Sequence, residues 1–293
     1  LSCGSVFRGM FRMKKVSDIM TAAPIVVEVP GSRSDAINIM VRNKLTGLPV
    51  VRASDGKLVG IVSRRDIFRK FDEDQLSLIM KKDCITITPE DSIVKAAKIF
   101  ADKRIHRLPV IEDGRLVGII TPTDLLKEIR EMKTSMTAED VIRTTCVTAY
   151  EGEPLAYTVA AMRISDVPAV PVLDTKGKLV GILTDRDLFS DQTSDAEALM
   201  RLGIEDSQLA GYRNVLPLFY AATGKHISDD TTVSAYMVRD PQTVFKKTPL
   251  NDIARIMTQN DFGQLPVHGT KDEIVGMIYD VDVLCALTGN CNE

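Results

Sequence analysis

Residues 108–124 read LPVIEDGRLVGIITPTD, and this stretch decides the fold. Two apolar runs flank Asp113-Gly114, a pair that tolerates the positive φ angles required by a two-residue hairpin turn. We therefore predict two antiparallel strands joined at this turn. The same turn pair occurs earlier in the chain, at Asp55-Gly56. After Gly118 the chain continues through Asp124 into Leu-Leu-Lys-Glu-Ile, which predicts a helix.

The same pattern occurs four times along the chain. In each copy an apolar residue stands 29 positions ahead of a Pro-Val pair: Met20/Pro49, Met80/Pro109, Ile142/Pro171 and Met237/Pro266. Each Pro is followed by a Gly with an Asp six residues later: Gly60/Asp66, Gly118/Asp124, Gly181/Asp187 and Gly276/Asp282. Self-similarity of this kind predicts one supersecondary unit used four times.

Each unit is predicted to run strand, helix, strand, strand, helix. In the second copy Ile85-Thr86-Ile87 indicates a short strand, and Ile93, Ala96, Ala97 and Phe100 have helical spacing. A single unit of about sixty residues is only marginally stable alone, so we expect neighbouring units to pair. The interval from Asp187 to Met237 is 50 residues, which indicates an insertion before the fourth unit.

The composition excludes several classes of protein. With 37 basic against 40 acidic residues the net charge is -3, so nucleic-acid binding by bulk charge is not expected. No apolar run reaches the roughly 18 to 20 residues that span a bilayer, so we expect a soluble, cytoplasmic protein without membrane contact. Five cysteines without a CxxC spacing suggest neither a disulfide framework nor a zinc site. Residues 1–12 precede the first repeat and are left out of the fold prediction.

The segment that contains each Gly and Asp is GIVSRRD, GIITPTD, GILTDRD or GMIYDVD, at residues 60–66, 118–124, 181–187 and 276–282. Together with the Leu-Pro-Val strand, these segments resemble the signature of the CBS domain family over residues 14–130 and 136–288. The resemblance implies an α/β (α+β) fold of four βαββα CBS repeats, paired into two modules that form a disc-like assembly. Its organisation is similar to that of stand-alone archaeal CBS proteins and of the AMP-activated protein kinase γ subunit.

On this basis the repeats and the insertion are placed at five ranges, 14–72, 74–132, 136–190, 191–229 (insertion) and 230–289. Within the insertion a helix is predicted from Asp195 to Gly203. The apolar and aromatic residues from Tyr212 to Tyr220 need burial against the protein's own modules, a partner, or a second copy in a homodimer.

The resemblance also assigns ligand-binding roles to the signature. A carboxylate can accept two hydrogen bonds from the vicinal hydroxyls of a ribose, and a hydroxyl beside a helix N-terminus can meet a phosphate. The implied ribose ligands are Asp66, Asp124 and Asp187, and the implied hydroxyl partners are Ser63, Thr121 and Thr184. The alternative is that the Asp is an N-cap and the Ser or Thr completes a turn, and the two roles are compatible. In the fourth repeat Tyr279 replaces the hydroxyl residue, so this site is expected to be empty or altered.

Further contact positions follow from the same resemblance. Thr86, Thr148 and Thr243 are placed near adenine or ribose, although strand propensity also explains threonine there. His106 and Arg107 precede a Pro-Val pair and are placed near phosphate. Arg64, Arg65, Arg104 and Arg186 are candidate phosphate contacts, with solvated surface charge as the alternative. Asp185 and Asp280 disfavour phosphate in the second module, where an uncharged or cationic adenosine ligand fits better.

No catalytic constellation accompanies these residues. His106, His226 and His268 lie far apart in repeat phase, and no nucleophile elbow, phosphate-cradling loop or paired-His metal motif occurs. We therefore expect a non-enzymatic protein that needs no cofactor or metal. The resemblance implies that it binds AMP, ADP, ATP, S-adenosylmethionine or methylthioadenosine and that it modulates an unknown protein partner. The alternative is a partner-binding scaffold with partly degenerate nucleotide sites.

Overall fold

The computed structural model describes residues 14–43, 45–70, 73–184, 231–270 and 273–289, without the side chains of Val41 and Phe68. The predicted insertion, with its helix and aromatic cluster, lies outside these residues. The chain divides into two compact units. The first unit contains residues up to 24, 85–146 and 241 onwards, and the second contains 25–84 and 147–240.

A β-hairpin forms the centre of every repeat. The hairpin strands are Gly47–Arg52 with Leu58–Ser63, Leu108–Glu112 with Arg115–Ile120, Ala169–Leu173 with Leu179–Thr184, and Gln264–His268 with Ile274–Tyr279. Asp113 and Gly114 have φ values of 48° and 76°, which confirms the predicted turn. The hairpins carry a register shift at the same place, directly after the Val of the Pro-Val pair.

A short parallel strand precedes each hairpin in three of the repeats. These strands are Val27–Val29, Ala149–Tyr150 and Val244–Phe245. In the second repeat the strand predicted over residues 85–87 is reduced to one parallel bridge, between Ile87 and Val110. The order of elements is as predicted, but this strand is shorter than the β-rich sequence indicates.

The opposite edge of each sheet is completed by a segment from the beginning of a different repeat. Thr21–Ala22 pairs with Arg115–Ile120, and Val238–Arg239 pairs with Leu179–Thr184. Single bridges join Lys81 to Ile61 and Arg143 to Met277 in the other two sheets. Repeats one and two, and repeats three and four, therefore exchange the segments that carry their first apolar anchors.

This exchange explains why each signature begins with glycine. A Cβ at Gly60 would lie 2.7 Å from the Met80 sulfur, and a Cβ at Gly181 would lie 2.6 Å from the Met237 sulfur. Real Cβ atoms essentially never approach a heavy atom so closely. The anchor and the glycine recur together in the sequence because the anchor side chain packs on the glycine backbone.

Helices lie before and after the hairpins in the chain. The helices before the hairpins are Arg33–Arg42, Ile93–Lys103, Leu155–Ile164 and Leu250–Asn260. The helices after the hairpins are Arg64–Arg69, Pro122–Ile129, Asp280–Val283 and Cys285–Thr288. The short helix Leu76–Ile79 lies at the beginning of the second repeat. Three short 3₁₀ turns lie ahead of the exchanged segments, at Val16–Asp18, Ala138–Asp140 and Val233–Ala235.

The buried core joins alternate repeats in the first unit. Helix Leu250–Asn260 of repeat four packs on Pro122–Ile129 of repeat two, and Cys285–Thr288 packs on Ile93–Lys103. One apolar cluster therefore runs through both repeats, including Phe100 and Leu250, which are fully buried. Among the described residues of the second unit, repeats one and three have separate clusters. The disc-like assembly stays a prediction.

Cysteine chemistry differs from expectation at one position. Cys84 and Cys146 are free and partly buried, and burial raises the pKa of both thiols, to about 11 for Cys84. Cys285 is disulfide-bonded, which the cysteine spacing, taken to suggest no disulfide framework, did not indicate. In the described part of the chain, no helix combines the length and the apolar character needed to cross a membrane.

Candidate functional site

The signatures of repeats one and two both place the Asp carboxylate on the N–H of the residue before the helix, and in repeat one the Asp N–H donates back to the hydroxyl. In repeat one the Ser63 N–H donates to Asp66 Oδ2 at 2.9 Å, and the Asp66 N–H donates to Ser63 Oγ at 3.2 Å. In repeat two the Thr121 N–H and hydroxyl donate to Asp124 Oδ2 at 3.0 and 2.8 Å. The hydroxyl residue is therefore the N-cap and the Asp is the third helical residue, which corrects the alternative that placed Asp at the cap.

Capping uses only one oxygen of each carboxylate. Asp66 Oδ1 lies 3.7 Å from the Lys81 ammonium and Asp124 Oδ1 lies 3.3 Å from the Lys127 ammonium. Both lysine side chains are more than half exposed, so these ion pairs are weak and easily exchanged for another partner. Each carboxylate is thus fixed in orientation through Oδ2, while Oδ1 lies near the ammonium group of an exposed lysine.

The fourth signature has the same carboxylate but a different partner. Asp282 Oδ2 accepts from the Tyr279 N–H at 3.0 Å, and Oδ1 accepts from Arg143 Nε at 3.0 Å and from Arg143 Nη2. The guanidinium also lies 4.7 Å from the centre of the Tyr279 ring, in a cation–π arrangement. Burial raises the pKa of Asp282, while the hydrogen bond and charge of Arg143 oppose that rise. In repeat four the Arg143 guanidinium therefore binds Oδ1, the carboxylate oxygen that lies near an exposed lysine in repeats one and two.

Arg143 reaches this position through segment exchange. It lies near the beginning of repeat three, yet its backbone N–H donates to the Met277 carbonyl at 2.9 Å and its carbonyl accepts from the Met277 N–H at 3.0 Å. Sequence reasoning missed Arg143 because no local signal links it to a signature about 140 residues away. Its place directly after the anchor Ile142 is the only sequence signal that could have found it.

The third signature is described in part. Thr184 ends the hairpin and is buried, at 8% exposure, whereas the predicted ligands Asp187 and Arg186 lie outside the described residues, as does Asp185. Thr86 and Thr148 are exposed and Thr243 is partly buried, and each lies directly ahead of a buried residue that pairs with the hairpin. Their contact with a ligand stays a prediction.

The predicted phosphate-binding cations lie against carboxylates of other repeats. In the first unit His106 Nδ1 of repeat two is 3.4 Å from Asp280 Oδ2 of repeat four. Burial raises the pKa of Asp282, and the charge of Arg104 is a minor contribution against that rise. In the second unit Arg65 of repeat one pairs with Asp166 of repeat three. His106 and Arg104 therefore adjoin the fourth signature rather than only their own, which the sequence did not indicate.

The other two basic candidates are less exposed than their charge suggests. Arg107 and Arg64 are partly buried, each with a contact to the rest of the protein. The structure thus places Arg107 at the start of its hairpin strand and Arg64 at the first position of its helix. No group of three or more His, Cys, Asp or Glu side chains within the described ranges could hold a metal ion.

Comparison with known protein families finds the same four repeats. The model of the CBS domain matches residues 16–73, 76–131, 138–192 and 233–289, which is most of the chain. The chain belongs to the CBS domain family. It is similar to an uncharacterized protein of Methanocaldococcus jannaschii, with 29% identity over 193 residues, 59% of this chain and 68% of that relative.

Two solved structures share the architecture of this CBS protein. The crystal structure of the same archaeal relative, proposed to be an archaeal homolog of g-AMPK, superimposes with a TM-score of 0.72 at 26% identity over 92% of this chain and 99% of that one. An uncharacterized conserved protein from Pyrococcus horikoshii gives a TM-score of 0.66 at 24% identity over 94% and 100% of the two chains, which shows the fold alone.

Some relatives contain much more than the matched segment. The L-aspartate semialdehyde sulfurtransferase of Methanocaldococcus jannaschii is 36% identical over 111 residues, which is 38% of this chain and 21% of that enzyme. The chain therefore spans about one fifth of this curated relative, and the enzyme's activity is a property of that whole protein.

Proposed function

We propose that this CBS protein is a non-enzymatic sensor of adenosine-containing ligands that modulates a protein partner. The observation that carries the proposal is the repeated carboxylate of the first two signatures, in which Oδ2 is fixed by the cap and Oδ1 faces an exposed lysine. A fixed carboxylate with one exchangeable partner suits a ribose, whose hydroxyls are hydrogen-bond donors.

The ligand class is that expected for the family and for a relative of the archaeal g-AMPK homolog. AMP, ADP, ATP, S-adenosylmethionine and methylthioadenosine are the candidate ligands. Asp66, Asp124 and Asp187 would hold the ribose, and Ser63, Thr121 and Thr184 would adjoin the phosphate or its replacement. Thr86, Thr148 and Thr243 would line the base or the ribose, and Arg107 would meet phosphate in repeat two.

The fourth repeat is proposed to bind no adenosine ligand. Its carboxylate already accepts two hydrogen bonds from Arg143, and the guanidinium covers Tyr279. A ribose would have to displace a partly buried charge-assisted hydrogen bond that the protein itself supplies. The carboxylate of repeat four therefore binds Arg143, at the beginning of repeat three, instead of a ligand.

Regulation requires that the ligand bind one conformation of the protein better than another. A coupling free energy of about 1 to 3 kcal/mol is typical of such systems. The exchanged segments are suitable transmitters, because each runs along one signature strand and is covalently continuous with another repeat. A cytoplasmic location stays a prediction from the sequence.

The test is thermal unfolding with each of the five candidate ligands in large excess. A ligand at 100 times its dissociation constant adds about 2.7 kcal/mol to the free energy of unfolding, so the melting temperature should rise by several degrees. The double variant Asp66→Asn/Asp124→Asn should lose most of that rise. Asp113→Asn is the matched control, since it makes the same chemical change in an exposed hairpin turn.

A flat response of the wild-type protein to all five ligands would contradict the proposal. The second candidate function, a scaffold that binds a partner through degenerate sites, would then be favoured. The occupied carboxylate of the fourth signature is the observation that supports this alternative.

A further inference from the structure

Two arginines of repeat one share a single carboxylate of repeat three. Arg65 Nη1 lies 3.1 Å from Asp166 Oδ1, and Arg69 Nη2 donates to the same oxygen. All three residues belong to the second unit, and Arg65 stands between the cap Ser63 and the ribose candidate Asp66. The Asp166 carboxylate of repeat three thus forms an ion pair with Arg65 of the first signature.

The backbone presents Asp166 for this contact. Helix Leu155–Ile164 ends at Ser165, and Asp166 follows in the left-handed conformation with φ 55°. Asp and Asn adopt this conformation more readily than most residues with a Cβ. Arg104 and Asp261 hold the equivalent position in repeats two and four, also with positive φ. The position after the helix is therefore a conserved element of the repeat geometry, and the charge placed there varies.

The charges of this cluster do not cancel. Within the described part of the chain two guanidinium groups face one carboxylate, so these three side chains together carry a net positive charge. The side chains are 38%, 40% and 55% exposed, and ion pairs at this exposure contribute little to stability. A guanidinium binds phosphate through the same planar hydrogen-bonding geometry that it uses for carboxylate, and phosphate carries more charge.

We propose that Asp166 sets the charge selectivity of the site in repeat one, by acting as an internal anion that a ligand phosphate must displace from Arg65 and Arg69. This inference rests on the proposed function of the first signature. An adenosine ligand without phosphate binds without breaking the cluster, whereas a nucleotide exchanges one anion for another. Asp166 is a specificity-determining residue contributed by a different repeat, and Arg69 extends the phosphate site beyond the signature.

The experiment compares the affinities of AMP and methylthioadenosine by titration calorimetry. Both contain adenosine, and only AMP carries a phosphate. Asp166→Asn keeps the backbone conformation and removes the competing charge, so AMP should bind about three- to fivefold tighter, corresponding to the upper range for an exposed ion pair. The affinity for methylthioadenosine should stay within about twofold. Asp113→Asn, at φ 48°, removes the same charge from the same backbone conformation and should change neither affinity.

Two further variants locate the effect. Arg65→Met should weaken AMP binding and leave methylthioadenosine binding unchanged. In the Asp66→Asn background the gain from Asp166→Asn should disappear, because the ligand no longer occupies repeat one. A gain that persists in that background would show that Asp166 acts elsewhere and would overturn the inference.

The outcomes separate this inference from the proposed function. If both ligands bind and depend on Asp66, but Asp166→Asn leaves the ratio of the two affinities unchanged, the selectivity role is wrong and the sensor function stands. If neither ligand binds any of the proteins, both are wrong. If the preference for AMP over methylthioadenosine increases in Asp166→Asn and not in Asp113→Asn, the result supports both the sensor function and the selectivity role.

Discussion

The second and fourth signatures contain the same carboxylate in the same cap, but its free oxygen has a different partner. Asp124 Oδ1 lies beside the exposed Lys127, whereas Asp282 Oδ1 is held by Arg143, whose side chain is 26% exposed. The comparison separates two roles that one residue performs. The Oδ2 atom shapes the helix start in both repeats, and the partner of Oδ1 decides whether the carboxylate is available to a ligand.

Removal of the cation tests this difference most strongly. Arg143→Met leaves the buried Asp282 oxygen without its charged donors and should lower the free energy of unfolding by about 1.5 to 3 kcal/mol, the usual contribution of hydrogen bonds to charged groups. Lys127→Met removes the corresponding cation of repeat two and should cost less than about 0.5 kcal/mol. Urea denaturation of both variants measures the two values, and equal losses would show that the two carboxylates have equivalent partners.

The cap itself should contribute in repeat two through the threonine hydroxyl. Thr121→Val removes the hydroxyl that donates to Asp124 Oδ2 at 2.8 Å, while the branched shape is retained. We expect a loss of about 1 kcal/mol in the free energy of unfolding, the usual net contribution of one hydrogen bond. Thr123→Val, on the exposed side of the same helix, is the matched control and should change stability by less than half of that value. No difference between the two variants would mean that the cap is not formed in solution.

The Asp282 cluster should also show in the pH dependence of stability. Burial raises the pKa of Asp282, and Arg143, with a smaller contribution from Arg104, opposes that rise. Without Arg143 the folded-state pKa rises further above the unfolded value, so the folded protein binds a proton more tightly than the unfolded chain. That contribution is present at acid pH and is lost as the pH rises through the folded-state pKa.

The destabilisation caused by Arg143→Met should therefore be smaller at pH 4 than at pH 7, by up to about 1 kcal/mol. His106 and Asp280 lie near this cluster, so the same pair of measurements on Asp280→Asn shows whether they contribute. A destabilisation that is equal at both pH values in Arg143→Met would contradict the assigned burial of Asp282.

Much of each repeat could be predicted from sequence because its signals are local. Asp113-Gly114 specifies a turn within four residues, and the spacing of Ile93 to Phe100 specifies one face of a helix. The glycine of the signature was also visible as a repeated feature. The reason for the glycine could not be predicted, because the methionine that packs on it comes from the beginning of another repeat.

The contacts that distinguish the sites could not be predicted, because they join residues far apart in the chain. Arg143 and Asp282 are separated by 139 positions, and Arg69 and Asp166 by 97. The linker lengths that suggested modules of neighbouring repeats contain no information on helix packing, which joins repeats two and four in the first unit.

The number of AMP molecules bound at saturation tests the central claim most directly. Titration calorimetry of the wild-type protein, Asp124→Asn and Asp282→Asn counts the sites with matched substitutions in equivalent positions. We expect Asp124→Asn to bind one molecule fewer than the wild type and Asp282→Asn to bind the same number. Loss of a site in Asp282→Asn, or no loss in Asp124→Asn, would contradict the assignment of an available carboxylate to repeat two and an occupied one to repeat four.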